Sequence, residues 1–505
     1  MNGRSRYDIA RCLLICGVLM PAGAGFTETV EEAEAIAVAD LQMRTEFDDP
    51  TARIGKTERI ERLSMLQDPE VLYMVGETVL DKTSEEQEIL AYVVKYQPGG
   101  FVVVSADDAF APIIGFDIRS PFTWTSPDDN FVTHILARNL PARAAELRES
   151  LARGIDVDIH PCWSSIRSRL YEDQDAGQTG TGDAGRGSAH IYVLWDTALW
   201  GQESYYNDEV VARNGNIPDI PTGCTATAMA IQMHFHSWPL QGDSSHSYAD
   251  NGGDVQFNHF VNYAETSYDW ANMPMQDLTE PNDDVAQLMY HCGVAVEMDY
   301  EVGGSGAWPS VDAMHEFFRY KGTVERTSGH MESMKASILG GLPVILSTTV
   351  HTVVASGYRE GNLPPECATC FFYLNIGGYG NNNGWWDIYN IYVISDDPSV
   401  DRSYPYSSPG NYMYVDSLFP PPLNFGTLPN PYRGVVMGAG LTPSGGRLLL
   451  KGGRSYTGSD NVPLLIEREM TIKTYDLGTA VIGDNLSLTE AGVIRAFSGG
   501  GLRIY

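Results

Sequence analysis

The chain is short of positive charge. Its 505 residues hold 33 Lys and Arg against 65 Asp and Glu, a formal net charge of −32. That argues against nucleic acid or an anionic membrane as partner, because both are bound through Lys/Arg patches. Long apolar runs are missing too. Cys12 to Met20 (CLLICGVLM) falls well short of the ~20 residues that span a bilayer, so no membrane span is expected. Metal-ligand patterns are equally scarce. Cys367-Ala368-Thr369-Cys370 has no second pair to complete a zinc knuckle. His234 and His236 are two residues apart and point to different helix faces. No metal and no cofactor is expected.

What is present suits folded domains. The composition is 43% hydrophobic and 10% aromatic, enough to bury real cores. The length suggests about three domains. Arg4, Arg6 and Arg11, the short apolar run and Ala22-Gly23-Ala24 read as an export signal over 1–24, which predicts a secreted, extracellular protein. Residues 25–172 read as an α+β domain. A helical pattern at Glu28 to Arg44 is followed by strand-like runs at 71–75, 89–94, 101–105 and 113–116, then a helix from His134 to Arg153. This domain holds no nucleophile or metal cluster. Residues 173–190, rich in Gly, Asp and Thr, read as a protease-accessible processing linker or a plain interdomain linker. Residues 191–416 show helices first and strands later, a second α+β domain. Residues 417–505 are a Pro/Gly-rich stretch followed by short β runs with the rhythm of a small β-helix-like segment.

The chemistry gathers around Pro221 to Pro239 (PTGCTATAMAIQMHFHSWP). Thr222-Gly223 delivers Cys224 to the start of a run with helical composition, bounded by prolines. A helix N-terminus favours an anion, and the thiolate is cysteine's nucleophilic form. The alternative is a small buried apolar residue. Removal of a signal carrying Cys12 and Cys16 leaves five cysteines, an odd number that requires at least one thiol. Cys367 and Cys370 follow Leu363-Pro364-Pro365, and a local loop disulfide between them is expected in an oxidising compartment. A base must be close in space, not in sequence. His351 opens a β run (HTVVASGY), and Asn375 lies at a strand end before Gly377-Gly378. Cys, then a strand His, then a strand Asn is the order of papain-like cysteine proteases.

The Cys224 stretch closely resembles the nucleophile helix of the streptopain family of cysteine peptidases, whose pattern is roughly GCVATAMAQIMKYHNWP. The upstream Trp200-Gly201-Gln202, then Tyr268-Asp269-Trp270 with Met273-Pro274, Cys292-Gly293-Val294-Ala295-Val296 and Gly304-Ser305-Gly306-Ala307 recur in the family in that order. Gly100 to Phe116 (GFVVVSADDAFAPIIGF) is similar to its propeptide segment. The resemblance implies a papain-like fold preceded by an α+β propeptide that acts as an intramolecular inhibitor, and an exported zymogen acting on protein or peptide substrates. It also implies site roles: Cys224 as nucleophile, His351 as general base then acid, Asn375 as orienter, and Gln202 as oxyanion donor. Ser305 and Gly306 would line the substrate cleft. Val350 stands where the family has Gly, and Ile376 where it has Trp. Those two changes motivate the alternative of a catalytically impaired papain-like binding or surface protein. A different Cys–His amide hydrolase is a third reading, which the ordered motifs do not favour.

Overall fold

The computed structural model describes residues 29–48, 56–176 and 191–387, with gaps of up to nine residues, and after 387 only short strands between 413 and 504. The export signal, most of the 173–190 linker and Cys367 lie outside the described residues. The helices are α1 (Glu32–Asp48), α2 (Lys56–Met65), α3 (Phe131–Ala152), α4 (Pro161–Ala176), α5 (Asp208–Arg213), α6 (Cys224–His236), α7 (Asp283–Ala295) and α8 (Val311–Phe318). The strands are β1 (Glu70–Val75), β2 (Thr78–Leu80), β3 (Ala91–Lys95), β4 (Phe101–Ser105), β5 (Ile113–Asp117), β6 (Ile191–Leu194), β7 (His246–Asp250) and β8 (Phe257–Val261). There follow β9 (Glu325–Arg326), β10 (Val344–Ser347), β11 (Thr352–Glu360), β12 (Cys370–Asn375), β13 (Gly384–Trp386) and β14 (Met413–Val415), then short strands to Ile504. No helix among the described residues is long and apolar enough to cross a membrane.

Two compact units cut across the chain order. One comprises Met1–Leu194, Arg326–His330 and Leu346–Met413, the other Trp195–Glu325, Met331–Ile345 and Tyr414–Tyr505. The first unit therefore unites the N-terminal α+β region with strands from the second half of the chain. Its sheet runs β2-β1-β3-β4-β5-β13-β12-β11, with β6 also on β11. All these neighbours pair antiparallel, so hairpins and long returns build it. Strands β3, β4 and β5 are buried at nearly every position, which matches their continuous Val/Ile runs and means that both faces are covered. Residues of α1 and α4 share one core cluster with Tyr92, Val102, Phe116, Phe371 and Trp385.

In the second unit α7 meets α5, α6, α8 and both strands of the β7–β8 hairpin, and α6 packs on it. Every residue from Thr225 to His236 is buried. Local signals set the helix ends. Asn282 Oδ1 accepts the Val285 N–H at 3.0 Å to start α7, and Ser310 Oγ accepts the Ala313 N–H at 3.1 Å to start α8.

Three expectations change. Helix α4 runs to Ala176, into the segment read as linker. The last strands form three small sheets: β-pairs Gly446–Leu450 with Met470–Thr474 and Ser455–Tyr456 with Ala480–Ile482 are parallel, but the other three pairings are antiparallel. That mixture is not the uniformly parallel stacking of a β-helix. The Cys367–Cys370 disulfide is also replaced: Cys370 is a thiol, whereas Cys162 is disulfide-bonded. Cys370 opens β12 opposite Glu360 of β11, and the Tyr358 hydroxyl on β11 donates to its sulfur at 3.3 Å. Strand pairing thus turns its side chain to Tyr358 instead of back along the CxxC loop.

A close contact inside the first unit is testable. A Cβ built on Gly115 of β5 would lie 2.2 Å from Cε3 of Trp386. Gly115→Ala is expected to lower stability by ~1–3 kcal/mol, as overpacked sites do, in urea unfolding. An unchanged midpoint would mean that Trp386 is not held there.

Candidate active site

Cys224 is the first residue of α6 and is partly exposed, while the rest of the helix is buried. It is a thiol. Gly223 before it sits at φ +85°, a conformation that L side chains rarely adopt. A Cβ at 223 would also come within 2.7 Å of the Met298 methyl and 3.0 Å of the Ser305 carbonyl oxygen. The Thr-Gly pair is thus a sharp elbow that only glycine fits. Gly223 offers no side-chain cap to the helix. The positive end of the helix dipole therefore lies at Cys224.

The polar side chains of this buried helix are used to anchor it. Thr225 Oγ1 donates to the Ala307 carbonyl at 2.7 Å. Thr227 Oγ1 donates to the Gly223 carbonyl at 3.1 Å and lies 2.9 Å from Thr222 Oγ1. Gln232 Nε2 donates to Pro343 O at 2.9 Å. His234 Nε2 donates to Met273 O at 3.0 Å, and its ring meets Trp200 edge-on at 4.8 Å. Trp200 Nε1 donates to Pro274 O at 2.8 Å. The dispersed WGQ, YDW–MP and helix motifs therefore converge in one place.

Gln202 joins Cys224 through the backbone: its carbonyl accepts the Thr222 N–H at 2.9 Å. Gly303, Gly304 and Gly306 have open space where a Cβ would stand. Their loop is closed by paired Asp299–Gly306 backbone bonds, 3.0 Å each way. Ser305 is half-buried and anchored. Its hydroxyl donates to Pro221 O at 2.8 Å, tying the loop to the segment before the elbow. Gly306 is exposed.

His351 and Asn375 belong to the other compact unit and come together there. His351 immediately precedes β11, and Val354 of β11 pairs with Asn375 of β12. His351 is buried, with Nε2 3.3 Å from the Ile376 carbonyl oxygen. A carbonyl only accepts, so in this contact Nε2 carries the proton and Nδ1 is the basic nitrogen. Asn375 Oδ1 accepts the Gly377 N–H at 3.1 Å, and Asn383 Oδ1 accepts the Ile376 N–H at 2.8 Å. A backbone carbonyl one residue beyond Asn375 thus also meets the imidazole. No side-chain pattern signals a backbone atom. Among the described residues no group of three His, Cys, Asp or Glu is placed to hold a metal ion.

The other thiol of the unit, Cys292, is buried against Met233, its sulfur 3.6 Å away, and burial pushes its pKa up. A thiol held protonated is inert. That separates Cys292 from Cys224 as a nucleophile.

A partly exposed thiol at the start of a buried helix, delivered by a glycine elbow, is the arrangement that a cysteine nucleophile needs. Residues 200–386 match the Peptidase C10 family model, and residues 27–135 match that of the Spi protease inhibitor. Residues 200–386 thus carry the C10, or streptopain, family of cysteine proteases, and residues 27–135 a Spi-type propeptide domain before it. Relatives include the thiol protease/hemagglutinin PrtT of Porphyromonas gingivalis, 23% identical over 61% of this chain and 35% of that protein. Streptopain of Streptococcus pyogenes is 22% identical over 46% of this chain and 57% of that protein. The match therefore spans from a third to just over half of these relatives' length. The solved prointerpain A fragment of Prevotella intermedia aligns with a TM-score of 0.42 at 20% identity, covering 69% of this chain and 98% of that one.

Two buried histidines of the second unit make it acid-sensitive. Burial lowers the pKa of His259 to about 4 and of His291 to about 3. His259 Nδ1 lies 3.1 Å from the Tyr290 hydroxyl, and its Nε2 is 4.0 Å from Asp250. The unfolded chain binds protons below about pH 6.5 that the folded unit refuses, so stability falls as pH drops from there toward 4. Thermal unfolding across that range is expected to show a falling Tm. In His259→Phe the pH dependence shrinks by about one proton; an identical slope would mean that His259 is charged in the folded state.

Proposed function

We propose that the chain is an exported cysteine endopeptidase made as a zymogen. The observation that supports it best is the Gly223 elbow, which leaves the Cys224 thiol at an uncapped helix start beside Gln202, within the C10 match. In this reading His351 Nδ1 takes the Cys224 proton, giving a thiolate–imidazolium pair. The thiolate attacks the carbonyl carbon of a peptide bond. The oxyanion is met by the Cys224 N–H and the Gln202 side-chain amide. His351 then protonates the leaving amine, and water hydrolyses the thioester with the imidazole as base. Asn375, with the Ile376 carbonyl, keeps the ring oriented. Ile376 is buried and excludes water from that contact, the task the family gives to Trp.

The open glycines at 303–306 let an extended substrate backbone approach. Ser305 acts by holding that loop to Pro221. The N-terminal domain keeps the precursor latent until it is removed, and the cut that starts this falls in 173–190. Export follows from the signal read over 1–24.

The test is casein hydrolysis under reducing conditions after maturation. Cys224→Ser and His351→Ala are expected to lose all detectable hydrolysis and self-processing. Gln202→Ala is expected to lose about 10²–10³ in kcat with little change in KM, as for a single oxyanion donor. If Cys224→Ser matures and cleaves like the native chain, the peptidase reading is wrong. Inert native protein whose Cys224 no thiol-directed inhibitor labels would favour the binding-protein alternative.

A further inference from the structure

The carbonyl that meets His351 Nε2 at 3.3 Å belongs to Ile376, one residue past the end of β12. Ladder pairing on either side of β12 stops at or before Asn375, so strand hydrogen bonds do not set the direction of that carbonyl. Peptide groups are planar, so it is aimed by the two planes that meet at Ile376. Each plane is held by the oxygen of a side-chain amide. The Ile376 N–H donates to Asn383 Oδ1 at 2.8 Å, and the Gly377 N–H donates to Asn375 Oδ1 at 3.1 Å. The Gly377 N–H and the carbonyl on His351 belong to one peptide group. Asn375 therefore polarises that group, and Asn383 fixes the plane before it.

Without such ties the segment would be soft. Gly377 stands at φ +72°, and the return to β13 also holds Tyr379 at +60°, Gly380 at +81° and Asn382 at +59°. Asn383 is well placed to supply one. It directly precedes Gly384 of β13, which pairs with Leu374 of β12. The Asn381 N–H donates to Gly378 O at 2.9 Å, and Trp386 Nε1 donates to Asn382 O at 3.2 Å. Asn383 is 1% exposed. A backbone N–H only donates, so the amide end that faces Ile376 is the oxygen. Its Nδ2 has no hydrogen-bond partner among the described residues, which leaves the oxygen as the working end.

We propose that Asn383 is a positioning residue for the base, acting on His351 through the Ile376 peptide. It holds the carbonyl that accepts from Nε2, so that Nδ1 stays the free, basic nitrogen. When Nδ1 takes a proton, the Nε2–H becomes a charged donor, and its bond to a fixed carbonyl strengthens. The part of the inference that concerns rate rests on the reading of His351 as general base. The part that concerns the ring itself does not, and it is read without catalysis.

The first arm uses the full chain carrying Cys224→Ala. A ring N–H of histidine is seen by proton NMR at low field only when a hydrogen bond protects it from exchange, and the His351 signal is the one lost in Cys224→Ala/His351→Gln. Asn383→Leu, which removes the acceptor at similar volume, is expected to abolish that signal. Asn383→Asp, which keeps an oxygen facing Ile376, is expected to retain it. The second arm uses the matured chain with Cys224 intact and a short peptide substrate. Asn383→Leu is expected to lower kcat about tenfold with KM changed less than about twofold, as for misplacement of a reacting group. Asn383→Asp is expected to restore most of that loss. Asn381→Ala, in the same return, is expected to leave both readouts as in the native chain. An undiminished His351 signal in folded Asn383→Leu would overturn the proposal, and so would an equal loss in Asn381→Ala. If Asn383→Leu fails to fold by circular dichroism, Asn383→Ala gives the same readout without a branched side chain. A chain with no hydrolysis, or with hydrolysis that survives Cys224→Ser, would count against the peptidase reading and leave the NMR arm to decide the role of Asn383.

Discussion

A helix buried on all sides gains when its polar side chains find partners, and four on α6 do so in a way that holds the helix in place. Thr225, Thr227, Gln232 and His234 each find a partner, three of them backbone carbonyls of distant segments. Each such bond is worth only about 1 kcal/mol net, but leaving the group unpaired would cost more. The helix can therefore neither slide nor rotate without stranding several of them. Cys224, its first residue, inherits that rigidity. The Gly223 elbow adds direction, since the contacts with Met298 and Ser305 O leave no room for another residue. A nucleophile gains from such placement because orientation is part of the barrier it has to lower.

The same logic, with aromatic rings in place of hydroxyls, governs the first unit. The β11–β13 strands bring an arginine into an apolar core, where a lone guanidinium is untenable. The N-terminal domain supplies the carboxylate at Glu46 and covers Trp385 and Phe371. Two segments whose partners stand far apart in the chain, 313 residues for Glu46 and Arg359, thus complete one another. That completion makes the N-terminal domain part of the fold as well as a leader preceding it. His351, the proposed base, sits on the same strand system, and its ring meets a carbonyl in the turn after β12. Packing of the N-terminal domain and placement of the base therefore involve one sheet.

Much was legible in the residues. The alternation and Val/Ile runs located β1, β3, β4 and β5 within two residues, and the proline-bounded run located α6, since both patterns are local. Helix α4 was not legible, because its apolar positions are few and its end runs into a Gly- and Asp-rich stretch. The hairpin β7–β8 was missed for a related reason: its residues are mixed polar and apolar, and the pairing between Tyr248 and His259 shows only in three dimensions. The CxxC misled, since spacing alone does not say which way two side chains face once a strand forms.

The sequence by itself determined the charge, the helix that Cys224 opens, the order Cys224–His351–Asn375 and the kinship of residues 200–386 and 27–135. These depend on residue type and near-neighbour spacing, which a linear string carries. Only the tertiary structure decided that Ser305 is a tie to Pro221, that a backbone carbonyl meets His351, that Cys370 is a thiol, and that Glu46 meets Arg359. Each of those depends on long-range contact, or on a backbone atom common to every residue, and neither leaves a mark in the residue types.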